Sequence, residues 1–314
     1  MTLPGVTKDA VFRKGHIIRE EDIPVLLSVG KDSVYIWEND ETMMHENDAA
    51  EVLYRMTANE HMHPSDVKEG KIEVIADTEG LLKVDREKLK KVNAFGEMMI
   101  ATRHGNTVVK KGDKLAGTRI IPLVIKKDKM QEAEKICDGT PILKILPFTV
   151  KKAAIITTGN EVYHGRIKDA FTPVIEQKIA EFGAEMMFHE IFDDNDRKIT
   201  DGCLRAIEAG ADIVFCTGGM SVDPDDKTPL AIKNTGAEMI SYGSPVLPGA
   251  MFLLSYYRKS DKVIPICGLP GCAMYNRRTI FDLVLPRLMA ADPVTADELA
   301  SLGEGGLCLN CKVC

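Results

Sequence analysis

Apolar and polar positions follow two different rhythms along this chain, and the change comes near residue 150. From Lys152 onward, Ala153-Ala154-Ile155-Ile156, Ile213-Val214-Phe215-Cys216 and Val263-Ile264-Pro265-Ile266 are short apolar runs of the length and β-rich composition of buried parallel strands. Glu185 to Phe192 reads as a further strand. Between these runs the spacing becomes helical. Phe171, Val174, Ile175, Ile179 and Phe182 share one face and stop at Gly183; Asp193-Asp194-Asn195-Asp196 opens a helix that runs to Glu208 and closes at Gly210. A last helix passes through Ile280, Leu283, Val284 and Leu288. Strand and helix in alternation predict an α/β fold, a doubly wound and mostly parallel sheet with its site at the strand C-ends.

Before residue 150 the pattern is less regular. A strand, a short helix from Glu20 to Leu27, a turn at Gly30 and a strand over Val34–Trp37 come first. Apolar residues at helical spacing follow from Asn47 to Ala58, with Asn47 or Asp48 as cap. Strands are expected at Ile72–Ile75, Met98–Ala101, Thr107–Val109 and Arg119–Ile125, with glycine turns at Gly96, Gly105, Gly112 and Gly117, and helices at Asp85–Val92 and Lys129–Cys137. This is an α+β arrangement, a small barrel packed by helices. His45 and the pair His61 and His63 read as loop residues; in a strand the pair would share a face and could bind a metal. Two prolines between Pro141 and Lys152 mark the boundary. The expected division is an N-terminal domain at 1–148, an α/β domain at 149–292 and a Gly/Cys-rich tail at 293–314.

Composition narrows the function. The chain has 314 residues, room for two cores, and its formal net charge of −7 argues against a nucleic-acid partner. No apolar run reaches the roughly 18 residues of a membrane span, and no signal-peptide h-region opens the chain, so the expected location is the cytoplasm. Cys137, Cys203, Cys216, Cys267 and Cys272 fall inside expected elements and read as packed, reduced thiols. Cys308, Cys311 and Cys314 are spaced to converge on one metal or cluster, or else form a redox-sensitive tail.

The candidate chemistry gathers at three strand ends: Thr158-Gly159-Asn160-Glu161, Gly218-Gly219-Met220-Ser221, and Gly268-Leu269-Pro270-Gly271. In a parallel sheet these face one crevice, bordered by the further glycine turn Gly243 to Gly249. Glycine lets backbone approach a ligand, and Thr228-Pro229 reads as a helix start, so phosphate can be taken by backbone N–H groups. Asp223, Asp225 and Asp226 beside that turn suit Mg²⁺ held between carboxylates and phosphate.

These same pieces carry a resemblance. Thr158-Gly159-Asn160-Glu161-Val162 with Gly165-Arg166-Ile167 and Asp169, Gly218-Gly219-Met220-Ser221-Val222 with Asp226, and Gly268-Leu269-Pro270-Gly271 resemble the molybdopterin-binding domain of molybdenum-cofactor biosynthesis proteins, over about Lys152 to Met289. The Gly-Gly-x-Ser and Leu-Pro-Gly pieces look like the molybdenum-inserting branch; Asp226-Lys227-Thr228-Pro229 looks like the adenylyltransferase branch. Lys14-Gly15-His16-Ile17 to Gly30 is also similar to a stretch of the inserting branch. Asp223 stands where that branch has glycine, and Cys272 where it has asparagine. The resemblance implies a transferase that binds molybdopterin with Mg²⁺, ATP or AMP, and molybdate, and either adenylylates the pterin or inserts the metal. It implies Asp226, Asp225 and Glu161 as catalytic and metal-binding carboxylates, with Asp169 as a further metal ligand. Thr158, Gly159, Asn160, Gly218, Gly219, Met220, Ser221, Thr228, Gly268, Pro270 and Gly271 would line the cofactor. Expected partners are the pterin, molybdoenzyme clients or other cofactor-assembly proteins, and further copies of the chain. The alternatives are a non-catalytic pterin carrier and a nucleotide hydrolase of the competence-damage kind.

Overall fold

The computed structural model describes residues 17–34 and 40–310, and the chain divides into two compact units, 1–43 and 44–314. In the first, a 3-10 turn at Glu20–Asp22 leads into helix α1 (Ile23–Ser28), which ends at a left-handed Gly30. The strands expected near Phe12 and over 34–37 lie wholly or mostly outside the described residues.

The second unit opens with β1 (Met43–His45, shared with the boundary), α2 (Glu46–Thr57), β2 (Met62–Pro64), β3 (Lys71–Ala76), β4 (Gly80–Val84), α3 (Arg86–Asn93), β5 (Met98–Thr102), β6 (Thr107–Val109), β7 (Lys114–Ile120), β8 (Val124–Lys126), α4 (Lys127–Cys137) and β9 (Leu143–Leu146). No single barrel forms among the described residues. A four-stranded antiparallel sheet, β2-β3-β7-β5, lies apart from a three-stranded one, β6-β4-β9. Alternation explains the first sheet: Ile72, Val74 and Ala76 of β3 are buried, as are Met98 and Ile100 of β5. The apolar stripe of α2, with Ala49, Ala50, Leu53 and Met56, packs into the same core.

Four expectations change here. The strand expected over Arg119–Ile125 is two, because the chain bends at Ile121–Leu123, where Pro122 has no N–H for a ladder. Gly117 is a strand residue of β7, not a turn, paired with Glu73 and Ala101. His45 is the cap of α2, its Nδ1 accepting from the N–H of Asn47 at 3.1 Å. His61 sits in a left-handed turn, while His63 is on β2 against Asp77 at 2.6 Å, so the two do not share a strand face.

The chain then builds β10 (Lys152–Thr158), α5 (Asn160–Tyr163), α6 (Phe171–Ala180), β11 (Glu185–Phe192), α7 (Asp196–Glu208), β12 (Ile213–Thr217), α8 (Thr228–Asn234), β13 (Glu238–Tyr242), β14 (Leu253–Lys259), β15 (Lys262–Leu269), α9 (Ile280–Met289) and α10 (Ala296–Ser301). The sheet order is β11-β10-β12-β15-β14-β13, parallel through β15 and closed by two antiparallel strands. Each central strand feeds two cores. Ile155, Phe215 and Cys267 join α6 and α9 on one face; Ile156, Val214, Cys216 and Ile266 join α7 and α8 on the other. Every residue of β12 is buried, as a strand covered on both faces requires.

The two halves of this unit are tied by charge. Lys83 of β4 reaches Asp292 at 2.7 Å, and Asp292 also holds the buried Arg287 of α9. Residues Thr149 and Val150 donate to the carbonyl of Met289, so the connection runs pinned against α9. Past residue 293, α10 buries Leu299, and Leu302 and Leu309 pack on the sheet core. No helix among the described residues is long and apolar enough to cross a membrane.

Candidate functional site

From β10 the chain leaves to β11 on one side; from β12 it leaves towards β15 on the other. The winding reverses between β10 and β12, and a crevice opens there at the strand C-ends. The first two glycine turns meet at this point.

Gly218 and Gly219 both have left-handed backbone, with φ of 82° and 54°. A side chain at Gly218 would place its Cβ 2.1 Å from the carbonyl oxygen of Thr158, and one at Gly219 would meet the Thr228 hydroxyl at 2.9 Å. Only glycine closes this turn against its neighbours. Beneath it, Thr158 (3% exposed) and Thr228 (0%) join hydroxyl to hydroxyl at 3.0 Å, and the Thr158 hydroxyl also donates to the carbonyl of Thr217 at 3.0 Å. With that hydrogen committed to the carbonyl, the Thr228 hydroxyl is the donor between the two. These threonines form the floor of the crevice rather than presenting hydroxyls to a ligand. Thr228 is the first residue of α8 and makes no side-chain cap; Pro229 follows within the first turn.

The third turn differs from the loop the sequence suggests. Gly268 and Leu269 are still within β15, and the chain turns at Pro270 into a 3-10 segment, Gly271–Met274. Gly268 is required inside the strand because the buried Met220 lies across it: an added Cβ would sit 2.4 Å from the Met220 methyl. The second loop therefore rests on the third strand. Tyr242, at the end of β13, fastens it from outside, its hydroxyl lying 3.0 Å from the Met220 carbonyl and 3.1 Å from that of Ser221. Ser221, Val222 and Asp225 are exposed at the rim.

Four carboxylates surround the opening. Asp226 accepts the N–H of Asp223 at 3.0 Å, and the N–H of Asp226 in turn donates to the Asp223 carbonyl, so this acid shapes its own loop. Asp194, just past β11, accepts the N–H of Asn160 at 3.1 Å. Burial raises the Asp194 carboxyl above its ordinary range, and the charges of Glu161, Asp225 and Asp226 add to the rise against the Asn160 hydrogen bond. Asp194 is the residue that sequence reasoning missed, because its tetrad reads as a helix start. Asn195 takes the capping role, accepting from Arg197 and Lys198, and leaves Asp194 to face the first loop.

Asp169 is placed elsewhere. One oxygen accepts the N–H groups of Phe171 and Thr172 at 2.9 and 3.1 Å; the other takes the hydroxyls of Thr172 and Thr157 at 2.6 and 3.0 Å, with His189 at 3.4 Å. Burial would raise this carboxyl, but the Thr172, Thr157 and Phe171 hydrogen bonds outweigh it and hold it low.

Among the described residues no group of three or more His, Cys, Asp or Glu side chains converges as a metal cage. Mg²⁺ does not need one. It is held by one or two carboxylates, substrate phosphate and its own waters, and Asp194 lies within the charge field of Glu161, Asp225 and Asp226. The donor set at the opening fits such an ion. Cys308 is exposed on a 3-10 turn; Cys311 and Cys314 lie outside the described residues. Cys137, Cys203, Cys216 and Cys267 are buried thiols and Cys272 is half-buried, all unbridged.

Comparison with known proteins agrees with the geometry. Residues 1–38 match a domain of unknown function. Over 129 residues the chain is 25% identical to a competence-damage inducible protein of Bacillus cereus (strain B4264), covering 41% of this chain and 30% of that protein. A counterpart from Bacillus velezensis is 32% identical over 85 residues, 27% of this chain and 20% of its own. The chain thus spans about a third or less of these curated relatives. Among solved structures, a tungsten cofactor synthesizing protein, MoaB, from Pyrococcus furiosus aligns with a TM-score of 0.38 and 18% identity, over 46% of this chain and 98% of that one. Residues 154–290 match the family described as a probable molybdopterin binding domain.

Proposed function

We propose that this crevice binds molybdopterin and that the chain acts in assembly of the molybdenum cofactor, by Mg²⁺-dependent adenylylation of the pterin or by insertion of molybdate. The observation that carries the reading is the glycine pair closed over the threonine floor at the winding switch, with carboxylates on its open side. Loop N–H groups around Gly219 and Ser221 would take the terminal phosphate. The α5 and α8 helices, of 4 and 7 residues, add little dipole. Asp226, Asp225, Glu161 and Asp194 would hold Mg²⁺, which supplies charge neutralisation at the phosphate. Phosphoryl transfer needs position and charge more than a nucleophile, so the work left to the protein is to hold the phosphate and keep the loops rigid. The tyrosine strut and the Met220 contact do the latter.

The test is calorimetric titration with molybdopterin, with and without ATP and Mg²⁺, followed by product analysis. Adenylylated pterin or released AMP is the expected result, and Asp226→Asn would cut turnover sharply while the fold survives. Binding without product would make the chain a carrier. The match to competence-damage inducible proteins favours a second reading, a nucleotide hydrolase. Hydrolysis of a pyridine-nucleotide compound with no pterin affinity would select it.

A further inference from the structure

Cys203 of α7 and Cys216 of β12 face each other in the core on the α7 and α8 side of the sheet. Their sulfurs are 3.6 Å apart, and both residues are wholly buried. Neither sulfur has another hydrogen-bond partner among the described residues. Cys267 of β15, also buried, does not compete for Cys216. Its register partner on β12 is Phe215, and both of those side chains enter the opposite core. The close approach has a local cause. Gly202 precedes Cys203, and a Cβ there would lie 2.5 Å from the Phe192 ring of β11. Ala206, one turn on, is buried as well. With little bulk at either position α7 settles onto the strands, and its thiol meets that of Cys216. The Thr200 hydroxyl ties the preceding turn to α8, 2.9 Å from the Ala231 carbonyl.

A disulfide needs its sulfurs about 2 Å apart, so about 1.6 Å of movement would join this pair. The two thiols are not equally placed for it. Cys216 is fixed in a strand paired on both sides, to β10 and β15. Its hydrogen bond with Cys203, and then burial, push its thiol well up, so it stays protonated and inert while α7 is seated. Cys203 rides on a helix whose outer face, with Asp201, Arg205 and Glu208, is exposed. Lifting of α7 alone brings it to solvent, a local opening that leaves the sheet intact.

We propose that these two thiols are a redox-sensitive latch: hydrogen peroxide oxidises them to a disulfide that fastens α7 to β12, and thiol reductants release it. When α7 lifts, the Cys203 thiolate attacks the peroxide. An S–O bond forms, the O–O bond breaks, and the hydroxide that leaves is protonated to water. As α7 reseats, Cys216 attacks the sulfenic sulfur; the S–S bond forms, the S–O bond breaks, and a second water leaves. The pair gives up two electrons and two protons, and the peroxide takes both. The bond joins two elements that reach the crevice, since α7 begins just past Asp194 and β12 runs straight into Gly218. Its formation does not depend on the pterin reading.

Peroxide treatment of the full chain tests it, with the remaining thiols alkylated in denaturant and tryptic peptides read by mass spectrometry. The exposed Cys308 should react first. The peptides carrying Cys203 and Cys216 should then appear joined, lighter than their sum by two hydrogen atoms, and should separate in dithiothreitol. Mild urea should speed the joining, because it favours the opening of α7. In the oxidised chain the α7 amides should exchange hydrogen about tenfold more slowly, and dithiothreitol should restore the original rate. Cys203→Ala should show neither the joined peptide nor the slowed exchange. Separate, alkylated Cys203 and Cys216 peptides after Cys308 is spent overturn the latch. So does a bond from Cys216 to Cys267, or a joined pair whose α7 amides exchange at an unchanged rate.

Discussion

Asp169 and Asp194 stand at the same edge of one sheet and live in opposite surroundings. Asp169 receives four donors and has its pKa held down; Asp194 receives one and is pushed up by burial and by three neighbouring acids. The first carboxylate is spent on the fold, tying the start of α6 to β10. The second is left in an unfavourable field that the fold does not relieve. Unrelieved charge at an open crevice is a mark of a site, because a cation or proton arriving there is bound by what the protein lacks.

The comparison breaks most readily at Asp169. Asp169→Asn leaves two hydroxyl donors facing an amide, and it should cost about 2–3 kcal/mol in urea unfolding. An unchanged midpoint would show that the network is ornamental. Tyr242→Phe should cost about 1 kcal/mol and weaken pterin binding severalfold, since it frees the Met220 and Ser221 carbonyls.

Asp194→Asn should have the smallest effect on stability and the opposite sign, raising the thermal midpoint slightly near neutral pH while lowering Mg²⁺ affinity. The pH dependences of the two acids also run opposite ways. Asp169, depressed in the fold, contributes stability that is present above its unfolded value of about 4 and is lost as pH falls through the lower folded value. Asp194, raised in the fold, contributes stability below about 4 that is lost as pH rises through its folded value. The gain from Asp194→Asn should therefore appear as pH is raised above 4, and millimolar Mg²⁺ should shrink it. A gain that is constant with pH would remove the charge argument.

Much of the α/β domain was legible because its signals are local. An apolar run between polar ends, a glycine stop and a helical stripe fix β10, α6, α7 and β12 without reference to the rest of the chain. The antiparallel strands β13 and β14, and the earlier strands β4 and β9, carry weaker runs and depend on partners distant in sequence. The site shows the same divide. The glycines at 218 and 219 announce a close approach, but the hydroxyl pair Thr158–Thr228 spans 70 residues and exists only once β10 and β12 are neighbours. Gly268 looks like a loop residue until Met220 is seen to lie on it. Asp194 was hidden by three equally good caps beside it.

The bridge from Lys83 through Asp292 to Arg287 has a mechanical consequence. Arg287 is buried, and its guanidinium spans Asp292, Glu298 at 2.7 Å and the Pro293 carbonyl at 2.7 Å. Swinging the antiparallel sheets away would strip one cation from Asp292 and expose a wall built to be shared. The two halves should therefore melt as one cooperative body, and a fragment cut before residue 149 would keep its crevice but surrender part of its heat resistance.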